Sequence, residues 1–276
     1  MIKNLLSNLL HLVPRELRYK ICRHHANKEF AENRSDFKTN GELWVLKNLI
    51  PDSKTVFDVG SFTGGWAHHA LLINPGLDVH CFEPSRQAFQ ILQNNVFAEN
   101  VTCNPFGLGS ENSSKTLFVY NQLNEGTSLY RRQGIECFVG DDLQINTDQV
   151  EIRTLDSYCN EKKIHDIDFL KIDVEGHEFA VIQGGKELFA SECIKIVQFE
   201  YGGTYIDSRI LLRDFFDFFK GLNYKFYLLY PNRVGLISHY DQRLENFQYK
   251  NFLIVNNDVL DDIRIFKKKN KKIFRD

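Results

Sequence analysis

Residues 55–66 carry the residue types in this sequence that are best suited to bind a nucleotide. They read Thr-Val-Phe-Asp-Val-Gly-Ser-Phe-Thr-Gly-Gly-Trp, in which the apolar run Val56–Val59 is typical of a buried parallel strand. The loop that follows contains Gly60, Gly64 and Gly65, which would let the backbone approach a ligand closely. An apolar segment that is compatible with a helix, Trp66–Ile73, comes next.

A second strand-like run, Asp78–Phe82, ends in an acid, Glu83. An acid at the end of the strand that follows a glycine loop is placed to hold the two ribose hydroxyls of a nucleoside. Strand, glycine loop, helix, strand and terminal acid therefore predict one nucleoside-binding unit. The alternative is a strand-turn-helix unit with a purely structural role.

The glycine loop excludes two common phosphate-binding motifs. Phe62 occupies the position at which a dinucleotide-binding loop needs its second glycine, and Gly65-Trp66 does not match the Gly-Lys-Ser/Thr of a P-loop. Asp58 would repel a phosphate and attract a cation, such as the α-ammonium group of a methionine moiety. S-adenosylmethionine has this ammonium and also a ribose diol for Glu83, so the pattern favours it as the ligand.

The composition is that of a globular protein with a sizeable core. Of the 276 residues, 43% are hydrophobic and 25% are charged, and the formal net charge of −2 argues against a general nucleic-acid binder. None of the six cysteines forms a C-x-x-C pair, which disfavours zinc ribbons and thioredoxin chemistry. Scattered free cysteines indicate a reducing compartment, so we expect a cytoplasmic protein.

Strand-like and helix-like segments alternate after residue 50, which predicts a doubly wound, Rossmann-like α/β sheet. The predicted strands are Val56–Val59, Asp78–Phe82, Val101–Cys103, Leu117–Tyr120, Val150–Leu155, Phe169–Ile172, Ile194–Phe199, Lys225–Tyr230, Val234–Ile237 and Phe252–Val255. The predicted helices are Gly41–Leu49, Trp66–Ile73, Arg86–Asn95, Asp156–Lys163, Glu178–Phe189 and Ile210–Leu222. The last strands, which have no long helix between them, predict an antiparallel edge. Residues 106–150 predict an inserted hairpin with a long loop.

We expect two parts in the chain, a helical N-terminal extension over residues 1–40 and one domain over residues 41–276. The apolar positions of Met1–Val13 have helical spacing, but they fall short of the roughly 18 apolar residues of a membrane span. No cleavage site for a signal peptide follows. We therefore expect a helix that packs on the domain or on a partner, without stable membrane insertion. The basic run Lys267–Lys272 is interpreted as a solvated tail, and the alternative is a tether to an anionic surface.

Several motifs resemble those of the FkbM family of class I methyltransferases, over roughly residues 50–256. They are Val56-Phe57-Asp58-Val59-Gly60 with Gly64, Phe82-Glu83-Pro84, Leu108-Gly109, Gly126-Thr127-Ser128-Leu129, Thr154-Leu155-Asp156 and the segment from Asp168 to Glu178. The run from Lys171 to Gly176, Lys-Ile-Asp-Val-Glu-Gly, is the most specific of these. The resemblance implies a sheet of about seven strands that binds S-adenosylmethionine and an activity that methylates hydroxyl oxygens.

The motifs define a set of candidate residues for cofactor binding. They are Asp58, Gly60, Ser61, Phe62, Gly64, Gly65, Trp66, Glu83, Pro84, Ser85, Phe106, Gly107, Asp173 and Val174. The segment Asn104–Leu108 follows the third strand of the unit and is expected to border the adenine. The insertion at 110–150 is expected to cover the substrate, with Thr127 and Ser128 as polar contacts.

The acidic segment after Phe169–Ile172 supplies the catalytic candidates. Ligands of a parallel sheet bind beyond the carboxyl ends of its strands, so Asp173 and Glu175 are expected at the mouth of the cofactor site. Methyl transfer to oxygen needs in-line alignment and often a base for the hydroxyl proton. The candidate bases are Glu175, His177 and Glu200, the last directly after the predicted strand Ile194–Phe199.

Each of these residues also has a structural alternative. Asp173 could cap the following helix, and His177 could be an ordinary surface or supporting histidine. Lys171 could neutralise the acids or lower the pKa of a hydroxyl, and a structural ion pair is the other interpretation. Asp173, Glu175, His177 and Glu178 include hard metal ligands. Successive residues at a strand end diverge in direction, however, and we expect no metal.

The sequence thus predicts methyl transfer from S-adenosylmethionine to a hydroxyl group of a small polar acceptor, such as a sugar, a glycolipid or a secondary metabolite. One alternative is an N-methyltransferase that acts on protein or nucleic acid, although the Asp/Asn-Pro-Pro-Tyr motif of such enzymes does not follow the predicted strand Phe169–Ile172. Another is a cofactor-binding scaffold without activity. We expect no nucleic-acid partner, and the sequence is compatible with a homodimer as well as with a monomer.

Overall fold

The computed structural model of the protein describes residues 13–29, 36–96, 98–120, 126–134 and 143–267. Two of the predicted features fall largely outside these residues, namely the helix over residues 1–13 and the basic run at residues 267–272. Among the described residues, no helix is both long enough and apolar enough to cross a membrane.

Eleven strands form two sheets within the described part of the chain. The strands are β1 (Thr55–Val59), β2 (Asp78–Phe82), β3 (Val101–Asn104), β4 (Gly107–Leu108), β5 (Ser113–Tyr120), β6 (Ile145–Arg153), β7 (Ile167–Ile172), β8 (Ile194–Tyr201), β9 (Tyr224–Tyr230), β10 (Arg233–Ile237) and β11 (Lys250–Asn256). The large sheet has the order β10-β9-β11-β8-β7-β1-β2-β3. Its β8-β7-β1-β2-β3 half is parallel throughout.

The predicted doubly wound sheet and its antiparallel edge are both confirmed. The edge strand β10 pairs with β9, and a second antiparallel strand, β11, lies inside the sheet between β8 and β9. All residues of β11, Lys250–Asn256, are buried. A strand that is covered on both faces needs a continuous apolar run, and Phe252–Val255 provides one, so β11 suits the interior of the sheet better than its edge.

Helices cover both faces of the large sheet. They are α1 (Arg15–Glu29), α2 (Glu42–Leu49), α3 (Gly65–Ile73), α4 (Arg86–Asn95), α5 (Leu155–Lys162), α6 (Glu178–Gln183), α7 (Lys186–Ala190), α8 (Thr204–Ser208), α9 (Leu212–Phe218) and α10 (Arg264–Lys267). Alternate residues of β1 point to opposite faces. Val56 packs in a cluster with residues of α2, α3 and α4, whereas Phe57 packs in a cluster with residues of α5, α6, α7 and α9.

Two predicted helices are shorter in the structure than in the sequence-based prediction. The segment 178–189 forms α6 and α7, which are separated at Gly184-Gly185. A Cβ atom at Gly184 would lie 2.0 Å from the carbonyl oxygen of Gly109, so the chain passes another backbone too closely for a side chain. The segment 210–222 is helical only over α9, before Gly221, whose φ is +87°.

The predicted hairpin insertion forms a sheet of its own. Strands β5 and β6 pair in antiparallel orientation, and the short strand β4 joins β6 in parallel. Ser128 forms an isolated bridge with Phe118 of β5, which brings part of the segment between β5 and β6 back to this small sheet. Leu117, Val150 and Ile152 form its apolar core. The small sheet therefore provides a second wall beside the carboxyl ends of the large sheet.

Candidate active site

A cavity of about 720 Å³ opens beyond the carboxyl ends of β1, β2, β7 and β8. Most of the residues that the sequence predicts for the site line it. They are Gly60, Ser61, Phe62, Gly65, Trp66, Glu83, Pro84, Ser85, Gly107, Lys171, Asp173, Val174, Glu175, His177 and Glu200. The other three, Asp58, Gly64 and Phe106, lie behind the cavity wall. The glycine loop after β1 and the acidic segment after β7 thus lie at the same edge of the sheet, because the carboxyl ends of parallel strands meet there.

Asp58 is buried beneath the cavity and does not face a ligand. Its exposed fraction is 0%, and its Oδ1 atom lies 3.5 Å from Nζ of Lys171. Burial raises the pKa of Asp58, and the charge of Lys171 opposes that rise. The structure places the Asp58 carboxylate behind the cavity wall, and its direct contact with an ammonium group stays a prediction. Asp58 is the counter-ion of a buried lysine, because its strand position turns the carboxylate towards β7.

Gly64 and Phe106 also support the site from behind. Gly64 has a φ of +86°, and a Cβ atom there would lie 2.2 Å from Cγ2 of Val96, so this glycine allows the loop to pack on the end of α4. The ring of Phe106 packs edge-on against Phe82 and Tyr158 at centroid distances of 5.8 and 5.9 Å. Both residues thus have packing contacts in the structure, and their contacts with the cofactor stay predictions.

The glycine loop and the loop after β7 are in direct backbone contact. Gly60 has a φ of +80°, and a Cβ atom at this position would lie 1.8 Å from the carbonyl oxygen of Asp173. Only glycine fits such an approach without moving one of the two loops. Gly60 therefore fixes the position of the segment that carries the acidic residues.

Glu83 is held by backbone donors on both of its oxygens. Its Oε2 accepts a hydrogen bond from the N–H of Phe62 at 2.8 Å, and its Oε1 accepts one from the N–H of Ser85 at 2.8 Å. Burial raises the pKa of Glu83 to about 7, although the two hydrogen bonds oppose the rise. Each carboxylate oxygen has a second lone pair, so both remain able to accept from the hydroxyls of a diol.

Apolar residues form a slot next to Glu83. Pro84, just after β2, lines it from the large-sheet side, and Gly107, Leu117 and Ile152 of the small sheet line it from the other. A flat aromatic base fits between such walls because it buries apolar surface on both faces. Leu117 and Ile152 were not predicted as site residues, because their position beside Glu83 depends on how the inserted hairpin packs against the large sheet.

The loop after β7 contains two successive residues with positive φ, Glu175 at +52° and Gly176 at +102°. The carboxylate of Glu178 accepts hydrogen bonds from the N–H groups of Val174 at 3.0 Å and Gly176 at 3.0 Å. Ser128 donates its hydroxyl to the carbonyl oxygen of Glu175 at 2.8 Å. A left-handed conformation is costly for a residue with a side chain, so these bonds hold Glu175 in a strained position at the cavity wall.

Three carboxylates converge at the opposite end of the cavity from Glu83. Oxygen atoms of Asp173, Glu175 and Glu200 lie within 4.8 Å of one another. Lys171 is 3.2 Å from Asp173, and the guanidinium of Arg132 is 3.7 Å from Glu175. Hard divalent cations prefer carboxylate ligands of this kind, but two of the three already have a basic side chain beside them. Burial, followed by the charges of Asp173 and Glu175, raises the pKa of Glu200 well above its usual range.

His177 lies in the cavity wall as a neutral, packed side chain. Its Nδ1 is 2.9 Å from the hydroxyl of Tyr130, and its exposed fraction is 4%. Burial lowers the pKa of His177 to about 4, with a smaller contribution from Lys115. Its Nε2 packs against Gly109, where a Cβ atom would lie only 2.8 Å away. His177 is thus enclosed on its Nε2 side and bound to Tyr130 on the other.

Several cavity residues lie outside every motif that the sequence revealed. Arg132 donates to the hydroxyl of Tyr249 at 3.1 Å, and the Tyr249 ring packs on Gly202, where a Cβ atom would lie 2.4 Å from it. Asn40 and Glu42 enter from the chain segment just before and at the start of α2. The predicted boundary at residue 40 therefore passes through the cavity wall. The sequence signal that could have identified these two residues is the Asn40-Gly41 pair directly before Glu42, the acid that begins α2.

A doubly wound sheet with a glycine loop after its first strand and an acid after its second is typical of the class I methyltransferases, which share these features with dinucleotide-binding domains. Within that class, the chain matches the family model described as "Methyltransferase FkbM domain" over residues 58–226. The chain belongs to this family and carries a methyltransferase domain, which confirms the resemblance noted in its motifs.

Among curated proteins, "Methyltransferase 1" of Beauveria bassiana (strain ARSEF 2860) is 26% identical over 148 residues, which is 49% of this chain and 59% of the relative. The chain thus spans about three fifths of that relative's length. A solved FkbM methyltransferase from Methylobacillus flagellatus KT is similar at 18% identity and a TM-score of 0.45, covering 74% of this chain and 44% of that one. A putative RNA methyltransferase from Pyrococcus horikoshii is similar at 13% identity and a TM-score of 0.38, covering 79% and 81%.

Proposed function

We propose that this protein transfers a methyl group from S-adenosylmethionine to a hydroxyl group of a small polar acceptor. The observation that carries the proposal is that one cavity joins two different ends. Glu83, beside the glycine loop and an apolar slot, suits a nucleoside, and the cluster of Asp173, Glu175 and Glu200 suits the acceptor. These two groups of residues are what a methyl transfer between a nucleoside cofactor and a hydroxyl needs.

The residues present fit the cofactor. The apolar slot formed by Pro84, Leu117 and Ile152 suits adenine, and Glu83 has lone pairs for the ribose diol. When bound, S-adenosylmethionine supplies an electrophilic methyl group on a positively charged sulfur. The acidic end of the cavity favours this charge by direct electrostatic attraction.

The acidic end also suits a hydroxyl acceptor. S-adenosylmethionine would supply the methyl group for a displacement that forms a carbon–oxygen bond and breaks the carbon–sulfur bond, and the acidic residues would hold the acceptor hydroxyl for it. The hydroxyl proton then passes to a carboxylate, and Glu200 is the best candidate. Its pKa is raised by burial and by Asp173 and Glu175, and a carboxylate with a raised pKa is a stronger base when ionised. Asp173 and Glu175 would align the acceptor by hydrogen bonding.

The same charges support the exclusion of nucleic acids as acceptors. A phosphate backbone near Asp173, Glu175 and Glu200 would meet like charge, and only Lys171 and Arg132 oppose it among the described residues of this cluster. A neutral polyol meets no such repulsion. A small hydroxylated acceptor therefore fits the electrostatics of the cavity better than RNA or DNA does.

The test is to incubate the protein with methyl-labelled S-adenosylmethionine and separate panels of glycosides, phenols, peptides and RNA. We expect S-adenosylhomocysteine to appear only with a hydroxylated small molecule, and the label to be found on its oxygen by mass spectrometry. Glu200→Gln should lower turnover by about 100-fold while S-adenosylhomocysteine still binds. The matched control is Glu99→Gln, at an exposed position away from the cavity, which should change neither property. Label on RNA or on a nitrogen atom would refute the proposal.

A further inference from the structure

An acid outside the family motifs, Glu42, lies in the cavity wall at the first residue of α2. It shares this wall with Asn40, Lys171 and Asp173. Asp58, the acid that the glycine-loop motif offers for a cationic group, is fully buried behind the wall. The acid nearest in the sequence to the glycine loop is thus unavailable, whereas an acid from a different segment is in contact with the cavity.

The carboxylate of Glu42 is held in one orientation by two amide donors. Its Oε1 accepts a hydrogen bond from Nδ2 of Asn40 at 2.6 Å, and its Oε2 accepts one from Nε2 of Gln198 at 3.0 Å. Gln198 is itself fixed, because its Nε2 also donates to Oδ1 of Asn251 at 3.1 Å. One lone pair on each oxygen of Glu42 remains for another donor.

Glu42 also lacks a cation of its own. Lys171 lies 3.5 Å from Asp58 and 3.2 Å from Asp173, so its close ion pairs are with those two acids, and its charge acts on Glu42 only from a greater distance. In the described part of the chain, no basic side chain lies within 4.0 Å of the Glu42 carboxylate. Burial raises the pKa of Glu42, Lys171 lowers it, and Asp173 raises it again. A half-buried carboxylate with this surrounding is stabilised when a cation binds to it.

We propose that Glu42 binds the α-ammonium group of S-adenosylmethionine, an inference that rests on the proposed function. The order of residues along the sheet edge supports it. Glu83 follows β2 and marks the ribose, Gly60 follows β1, and Glu42 lies beyond them next to Lys171 of β7 and Gln198 of β8. A nucleoside that extends from Glu83 across Gly60 brings its amino-acid end to Glu42. Asp173 and Glu175 have Lys171 and Arg132 beside them and are left for the acceptor.

Calorimetric titration with two ligands tests this assignment. S-adenosylhomocysteine carries the amino-acid end, whereas 5′-methylthioadenosine has the same adenine and ribose without it. Glu42→Gln removes the charge and keeps the shape, so it should weaken binding of S-adenosylhomocysteine by about tenfold or more and leave methylthioadenosine within about twofold. The matched variant Glu83→Gln should weaken both ligands, because both contain the ribose.

Each outcome has a defined meaning. If the wild-type protein binds neither ligand, the proposed function itself fails. If the wild type binds but Glu42→Gln weakens both ligands equally, or neither, the assignment of Glu42 is overturned. A measurement that needs no variant is the affinity of the wild type for the analogue of S-adenosylhomocysteine that lacks its amino group. This analogue should bind about tenfold more weakly, and equal affinity would overturn the assignment.

Discussion

The acids at the two ends of the cavity are stabilised by different kinds of partner. Glu83 accepts two backbone hydrogen bonds, from Phe62 and Ser85, and both donors lie within 21 residues of it in the chain. Asp173, Glu175 and Glu200 instead crowd one another, and their neutralising groups are side chains. The ribose end is therefore fixed by local backbone geometry, whereas the acceptor end depends on charges that only the tertiary fold brings together.

The charge balance of the acceptor end therefore depends above all on Lys171. Its side chain is buried, and the carboxylates of Asp58 and Asp173 raise its pKa above the usual range despite the opposing effect of burial. A buried lysine that keeps its charge needs acids close to it, and those acids in turn need the lysine. No comparable dependence exists at Glu83, where backbone N–H groups cannot change their charge.

The largest expected effect comes from Lys171→Met, which leaves Asp58 buried without its cation. We expect a loss of about 3–5 kcal/mol in the free energy of unfolding, measured by urea denaturation, because an unpaired buried charge carries a large desolvation cost. The control is Lys195→Met, which removes the partner of Asp168 at a half-exposed site. Asp168 keeps the N–H donors of Lys54 and Thr55, so the loss should be below about 1 kcal/mol. Equal losses of unfolding free energy in the two variants would contradict the claim that Asp58 depends on Lys171 more than Asp168 depends on Lys195.

A second effect concerns the contact that links the two ends. Gly60→Ala places a Cβ atom 1.8 Å from the carbonyl oxygen of Asp173 at a positive φ, so the loops must separate. The expected cost is about 2–4 kcal/mol in the free energy of unfolding, with loss of S-adenosylhomocysteine binding. Gly65→Ala is the matched control, because no atom lies within 4 Å of its Cβ position and the residue begins α3. A thermal denaturation series that shows similar stability for both variants would remove Gly60 as the linking contact.

A third prediction compares the two ends directly through Glu83→Gln and Glu200→Gln. Glu83→Gln should destabilise the ligand-free protein by about 1–2 kcal/mol, since the amide accepts at only one atom and places N–H against a backbone donor. Glu200→Gln should instead stabilise the protein at pH 8. The folded-state pKa of Glu200 is raised, so the wild type loses stability as the pH rises through that pKa and the variant does not. The gain should be about 1 kcal/mol in chemical denaturation. If both variants destabilised the protein, the acids at the two ends of the cavity would be stabilised in the same way.

The sequence was sufficient for the parts of the site that contiguous segments build. The strand, glycine loop, helix and acid up to Glu83 were predicted at their observed places, and helix α4 has the predicted bounds Arg86–Asn95. Ser85 caps this helix by accepting from the N–H of Ala88. Local hydrogen bonds and apolar spacing determine these features, so the residues that specify them are neighbours in the chain.

The rest depended on contacts between distant segments. Glu42 meets Gln198 across 156 positions of the chain, and Arg132 meets Tyr249 across 117. No motif or spacing in the sequence indicates either of these contacts. Asp58 was predicted at its observed place in the strand, but its burial behind the cavity wall was not, because that depends on the pairing of Asp58 with Lys171 between β1 and β7.

The smallest expected effect is a change with pH at the ribose end. A diol donates its hydrogen bonds more strongly to an ionised carboxylate, and burial raises the pKa of Glu83 to about 7. Below that pH the protein must lose a proton before binding, so affinity should rise with pH by about threefold between pH 6.5 and 7.5. The ligand to titrate is methylthioadenosine, because it has no ammonium group and reports on the ribose end alone. In Glu83→Gln the affinity should be lower and independent of pH over this range. A wild-type affinity that falls with rising pH would show that Glu83 binds the diol as a neutral acid.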